Sequence, residues 1–276
     1  MDTSGPGKRA ATTAARENLG SPSRTLEKGL QVLNLFDVAR PEWTLKDISK
    51  TAGLPKATGF RLVKTLENLR YLTYDAKTGA YRLGSAMMRA AYLTLTHSTL
   101  VSVAEPYIQR VAEITTETVD LSVPTDEGAL IVHTVYTPRP FRPYNPPGMT
   151  MAGLSNVHCK VFTACGPQDR WPEAIAGNIP LTPRSVTDPE ALTAELAEIR
   201  RQGVAFGIEE HKLGMCAVGA PVFDSTNGVR AALAVVVPVE RFGQVERDSF
   251  ARAVIEAAAG LSAELGCGYG KGLDTR

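Results

Sequence analysis

Cysteine is scarce in this chain. Only Cys159, Cys165, Cys216 and Cys267 occur, and no two of them form a C-x-x-C pair. Nothing therefore points to a disulfide framework or to a structural zinc site, and the four thiols read as reduced. Also missing are an H-x-x-x-H spacing, a G-x-S-x-G elbow and a phosphate loop ahead of a helix, which removes the usual marks of metal hydrolases, serine hydrolases and nucleotide-binding enzymes. Long apolar runs are lacking too. The longest, around Ala231 to Val239, is much too short to span a bilayer, and the first residues hold no apolar core of a secretion signal. These absences lead to the expectation of a cytoplasmic protein with no membrane partner, no cofactor and no bound metal.

Net charge of either sign is absent as well, at +1 over 276 residues, but the balance conceals a division. Residues 1–97 carry 15 Lys and Arg against 8 Asp and Glu, which is +7, while residues 98–276 carry 15 against 21, which is −6. A basic module joined to an acidic one suggests that the first meets a polyanion; random drift in surface charge is the plainer reading of the same numbers. A length of 276 residues with 43% hydrophobic and 21% charged composition suits two globular domains with flanks.

The order of elements gives the first module a shape. Residues 1–23, rich in Ala, Thr, Ser, Gly and Pro, read as a disordered tail. From Thr25 to Ala39, Leu26, Leu30, Leu33 and Phe36 recur at helical spacing and predict a helix buried along that stripe. Thr44, with Asp47 three residues on, caps a second helix bearing Leu45, Ile48 and Ala52, and Gly53 ends it. Pro55 opens a third helix with Leu62, Leu66 and Leu69 facing inward. Two short strand patterns then flank Asp75 to Gly79. Three helices and a hairpin make a winged helix-turn-helix over residues 24–84, whose third helix can enter a major groove while the hairpin touches flanking backbone.

Residues 85–100 read as a linker helix, followed by a second domain over 101–267 and a flexible end over 268–276. Ser102 and Glu105 form a capping box for a helix running to about Glu117. Strand patterns at 118–124 and 129–136, and again at 215–223 and 229–237, predict antiparallel pairs. Helices are expected near 154–165, at 188–202 and along Phe250, Val254, Ala258, Leu261 and Leu265. The fold class is α+β, with helices covering a mainly antiparallel sheet.

Outside the leucine stripe, the third helix presents Lys56, Thr58, Arg61, Lys64 and Asn68. Arg61 is the best base reader, since a guanidinium takes guanine O6 and N7 as a bidentate pair worth about 1–3 kcal/mol of discrimination. Lys77 and Arg82 on the hairpin, Arg24 ahead of the first helix and Thr44 at the start of the second suit contacts to the DNA backbone. A plain solvated helix face would show the same residue types. Gly59 inside the helix costs roughly 1 kcal/mol relative to alanine, with no reason visible in the sequence.

The run TLEKGLQVLNLF from Thr25, LKDISKTAGLPKATGFRLVKTLENLRYL from Leu45, AYRLG from Ala80, DPEALTAELAEIRRQGVAFGIEEH from Asp188, and the later VGAPVFD and AALAVVVPV segments resemble the isocitrate lyase regulator (IclR) family. The resemblance implies a one-component transcription regulator, commonly a repressor of a catabolic operon. It also implies a homodimer or homotetramer that binds double-stranded operator DNA and carries a GAF-like C-terminal domain for a small-molecule effector. It places Lys56, Thr58 and Arg61 toward DNA, with Ala57 where a hydroxyl residue is common. It maps the effector pocket onto the start of the 154–165 helix, the stretch 207–217 and the strand 233–237.

At those pocket positions relatives that bind small carboxylates carry polar anchors, whereas this chain has Gly207, Ala217, Ala234 and Val236. Together with Phe141, Tyr144, Met151, Val157 and Met215, these predict a pocket for a larger, mainly apolar or aromatic effector with one polar end, touched by His158. A domain that merely fills its core with these side chains would give a DNA-binding protein without a ligand. The neighbours His158 and Cys159, with Cys165, Cys216 and His211 elsewhere, also invite a thiol-enzyme reading. Adjacent residues on a helix diverge by about 100°, however, so His158 is badly placed as a base for Cys159, and no catalytic residue is assigned.

Overall fold

The computed structural model describes residues 23–37, 40–96 and 99–267. The tails expected at 1–23 and 268–276 lie outside these residues except for Ser23, whose hydroxyl caps the first helix by accepting from Leu26 N. Contacts divide the chain into two units between Thr94 and Leu95.

In the first unit, helix α1 spans Arg24–Leu33, strand β1 Trp43–Thr44, α2 Leu45–Thr51, α3 Lys56–Asn68, β2 Leu72–Asp75 and β3 Ala80–Leu83. The three strands form an antiparallel sheet in the order β1-β3-β2. The expected hairpin is β2 and β3, and the two-residue β1 is an addition too short to show alternation. Val32, Leu33, Trp43, Ile48, Leu54, Val63, Leu72 and Tyr81 form the core. Thr44 caps α2, accepting from Asp47 N at 3.2 Å, and Gly53 beyond its end has φ of +62°. Gly59 now has a reason. A Cβ there would lie 2.2 Å from Ser49 Oγ and 3.2 Å from Ser49 Cβ, so glycine lets α3 cross α2 this closely without displacing Ser49.

Two inward stripes differ from expectation. Leu26 and Leu30 are 63% and 52% exposed, whereas Leu33 is buried and Phe36 packs half-buried against the core as expected; Gly29 and Val32 are buried beside them. The second half of the leucine stripe reaches the core, and in the first half the neighbouring positions do. On α3 the buried positions are Gly59 and Val63, flanked by half-buried Leu62 and Leu66; Leu69 lies past the helix end and is 58% exposed.

The next helix, α4, spans Ser85–Thr96, and α5 spans Thr99–Thr115. Ser102 and Glu105 therefore lie inside α5 and do not cap it, because the helix begins one turn earlier. The second unit continues with β4 (Thr118–Thr125), β5 (Gly128–Val135), β6 (Thr150–Met151), α6 (Val157–Cys165), α7 (Trp171–Ala176), α8 (Pro189–Gln202), β7 (Ala205–Ile208), β8 (Met215–Phe223), β9 (Val229–Pro238) and α9 (Gln244–Glu264). Its six strands pair antiparallel throughout in the order β6-β5-β4-β9-β8-β7.

Alternation along β9 shows how both sheet faces are used. Leu233, Val235 and Val237 turn toward Ile108 and Val111 of α5 and Phe250, Val254 and Leu261 of α9. Ala232 and Ala234 turn the other way, toward Val161 of α6, Trp171 of α7 and Leu192, Leu196 and Ile199 of α8. A strand buried on both faces reads as a continuous apolar run, which is what residues 229–238 are.

Candidate functional sites: an exposed helix face and a cavity beside the sheet

The outward side of α3 carries Lys56, Ala57, Phe60, Arg61, Thr65 and Asn68, all exposed, with Thr58 half-buried at its edge. Phe60 and Thr65 share this face and were not singled out, because one is apolar and the other weakly polar. Lys64 points elsewhere: its ammonium pairs with Glu67 at 2.7 Å and lies 5.8 Å from the Tyr74 ring centroid. Thr44 is exposed, but its hydroxyl serves as the α2 cap. Arg24 is exposed at the start of α1, and Lys77 at the hairpin tip, where its N–H donates to Asp75 Oδ1 at 2.8 Å. Arg82 is exposed between two carboxylates, 3.8 Å from Glu42 and 3.7 Å from Asp75.

In the second unit, α6 packs along the sheet through Val157, Val161 and Ala164, and its first turn borders a cavity of about 540 Å³. Its floor follows from strand register. Gly207 of β7 faces Ala217 of β8, which faces Val236 of β9, and all three line the cavity as one cross-strand row. Phe141, Tyr144, Met151, Val157, His158 and Met215 line it as well. Ala234 is not among the lining residues: it lies two positions deeper along β9, in the next row with Gly219, and packs beneath α6. A Cβ on Gly207 would come within 2.9 Å of Val157 Cγ1, so glycine lets the first turn of α6 seat against the sheet.

The polar groups around this cavity come mostly from elements the sequence patterns did not mark. His158 is buried, with Nδ1 2.8 Å from Ser122 Oγ on β4, and burial followed by the nearby His211 pushes its pKa down to about 4. The imidazole is therefore neutral; Nδ1 is held by the sheet, while Nε2 is buried without a hydrogen-bond partner in a residue that lines the cavity. Asp120, two residues before Ser122 on the same strand face, accepts from Asn145 Nδ2 at 2.6 Å; burial raises its pKa to about 7 against those stabilising hydrogen bonds. Asn145 belongs to the cavity wall formed by residues 141–145. Tyr144 in that segment stacks on Tyr136 at 5.7 Å, and Arg241, paired with buried Glu117 at 2.6 and 2.8 Å, donates to Phe141 O at 3.3 Å. Charged residues lining the cavity are Arg142, Lys212 and Glu240.

The cysteines do not assemble a nucleophile. Cys159 donates its S–H to Met151 O at 3.1 Å, and burial pushes the thiols of Cys159 and Cys165 up to about 11. With His158 Nδ1 on Ser122, no base meets Cys159, and a thiol at such a pKa is almost wholly protonated at neutral pH. Among the described residues, no helix is long and apolar enough to cross a membrane.

The bacterial transcriptional regulator IclR C-terminal model matches residues 92–263, and the IclR helix-turn-helix model matches residues 25–76. The chain belongs to the IclR family. It is 27% identical to the DNA-binding transcriptional repressor YiaJ of Escherichia coli, with 94% of each chain covered, and 32% identical to the regulator Rv1719 of Mycobacterium tuberculosis over 71% of this chain and 75% of that one. Among solved structures, it resembles an IclR homologue from Microbacterium hydrocarbonoxydans complexed with 4-hydroxybenzoate, at 26% identity and a TM-score of 0.75, covering 87% of this chain and 98% of that one. This IclR-family member is accordingly a DNA-binding transcription regulator with a C-terminal effector-binding domain, and not an enzyme.

Proposed function

We propose that the protein is a repressor, that it binds operator DNA through the α3 face as a homodimer or homotetramer, and that the cavity beside α6 takes an aromatic or otherwise largely apolar effector with one polar end. The observation that carries the effector reading is the Gly207–Ala217–Val236 floor, which offers apolar surface and no side-chain hydrogen bond. A small carboxylate would gain nothing from this floor and would leave its apolar surface uncovered, whereas a ring or chain would bury it. His158 Nε2, unpartnered while Nδ1 is on Ser122, remains a polar contact for one end of the effector; the charged groups beside it are Arg142, Lys212 and Glu240, and two cations against one carboxylate favour an acid. The structural relative holding 4-hydroxybenzoate supports the same class.

Repression is supported by the name of the relative YiaJ, a DNA-binding transcriptional repressor. Oligomerisation is supported by the exposed Leu26 and Leu30 on α1, since an apolar stripe turned away from its own core suits burial against another copy. It is supported too by the few base pairs that a single winged helix reads. In base contacts the leading part falls to Arg61, with Lys56, Thr58 and Asn68 beside it. Lys77 and Arg24 serve phosphate contacts, and Arg82 and Lys64 serve them only on leaving their carboxylate partners.

The test is calorimetric titration of the purified protein with 4-hydroxybenzoate, benzoate, pyruvate and glyoxylate, alongside gel shifts on operator DNA selected from random oligonucleotides. The reading expects an aromatic acid to bind and to shift operator affinity. Binding of pyruvate or glyoxylate alone would overturn the effector class, and a strict monomer by light scattering, free and on DNA, would overturn the assembly.

A further inference from the structure

One buried charge cluster in the effector domain lies outside every contact considered so far. Lys160, in the first turn and a half of α6, is only 1% exposed. Its ammonium lies 2.6 Å from Glu195 Oε1 on α8 and 2.8 and 2.9 Å from the two Glu210 oxygens, with Phe206 O at 3.5 Å. Glu210 is itself buried. A lysine placed so deeply requires countercharges, and here they come from two separate segments of chain.

What those segments do gives the cluster a role. Glu210 stands directly before His211, Lys212, Leu213, Gly214 and Met215, all of which line the cavity. The same stretch is tied from the opposite side, where Thr182 Oγ1 donates to Glu209 O at 2.7 Å and Ser185 Oγ donates to Glu210 O at 2.8 Å. Inside the loop, Gly214 N donates to Glu209 Oε1 at 2.8 Å. Three residues before Lys160 on the same helix, Val157 forms another part of the cavity wall. One ammonium thus joins the α6 wall to the 211–215 wall and anchors both on α8.

We infer that Lys160 is a positioning residue for the effector site: it touches no ligand, and its Glu210 pair clamps residues 209–215 in the shape that the cavity needs. That this wall bounds an effector rests on the reading of the cavity above; the clamp itself does not. Removing the tether leaves the loop with the Thr182 and Ser185 hydroxyls, the Glu209–Gly214 bond and its main-chain bonds but no ionic anchor, so its amides should open more often, and an effector should then have to order a wall that was previously fixed.

Hydrogen exchange measured by mass spectrometry on the full chain decides the point. Glu210→Ala keeps Lys160 paired with Glu195 and so spares the α6 interior, whereas Lys160→Met strands a buried carboxylate. In both variants, exchange at residues 209–214 should rise about tenfold or more, with β8 and β9 unchanged in Glu210→Ala. In the same proteins, affinity for 4-hydroxybenzoate should weaken by a similar factor while affinity for the selected operator stays within twofold. Wild-type exchange rates at 209–214 in Glu210→Ala, or an equal rise across the whole domain, would overturn the clamp. If the wild-type protein does not bind 4-hydroxybenzoate, the cavity reading is what has failed, and the exchange rates still judge the clamp.

Discussion

Helices α3 and α6 make the instructive comparison. Each opens onto a functional surface, yet α3 turns Lys56, Arg61 and Asn68 to solvent, whereas α6 buries Val157, His158, Cys159, Lys160 and Val161 without a break. In α3, fold and function occupy different faces, so a side chain can be lost from one at little cost to the other. In α6 they coincide: the residues that shape the cavity also hold the domain together.

Lys160 should give the largest effect. Replacing it by methionine removes the countercharge of buried Glu210, a loss of the kind that costs about 3–5 kcal/mol, and urea unfolding of the effector domain should show it. A loss below 1 kcal/mol would mean that α6 tolerates polar change as readily as α3 does.

The next effect compares two residues of α3. Val63 is fully buried, so Val63→Ala should lower stability by roughly 1–3 kcal/mol, while Arg61→Ala should leave it within about 0.5 kcal/mol. Gel shifts should order them the other way, with Arg61→Ala weakening specific binding by about 1–3 kcal/mol. Gly59→Ala sharpens the contrast, because helix propensity favours it by about 1 kcal/mol while the Ser49 contact opposes it. A net loss of stability is expected, and a gain would show that α2 moves aside freely.

In the wild type the smallest effect is the net pH slope, because two groups oppose each other. Asp120 has a folded pKa of about 7 against an ordinary 3.8, so its stabilising contribution is complete below about pH 4 and is lost as pH rises through 7. His158, lowered from 6.5 to about 4, does the reverse: its contribution is complete above 6.5 and is lost as pH falls through 4. Between roughly pH 4 and 6.5 the two slopes oppose each other. Asp120→Asn, which can still accept from Asn145, should therefore unmask a stability that rises with pH over that interval and should exceed the wild type at pH 8. Parallel wild-type and variant curves, from thermal melts across pH, would show that folding does not raise the pKa of Asp120.

The same comparison explains what the sequence disclosed. Strands at 118–125, 128–135, 215–223 and 229–238 were legible because apolar runs broken by turn residues are local signals. The α3 face was legible because a helix shows its exposed side in its own spacing. Leu26 and Leu30 misled because periodicity identifies an apolar stripe without saying whether the chain's own core covers it. Lys160–Glu210 and Ser122–His158 were invisible because their partners lie 50 and 36 residues apart, and no periodicity links such positions. Ala234 was placed in the cavity by analogy, yet strand register puts it one row too deep.

The central claim is that operator and effector are read at separate places, the α3 face and the Gly207–Ala217–Val236 floor. It is tested most directly by Ala217→Phe, which fills the floor, in gel shifts on the selected operator with and without the aromatic acid that binds the wild type. The account predicts wild-type operator affinity with the effector response abolished. Retention of the full response, or loss of operator binding in a protein that remains folded, would contradict it.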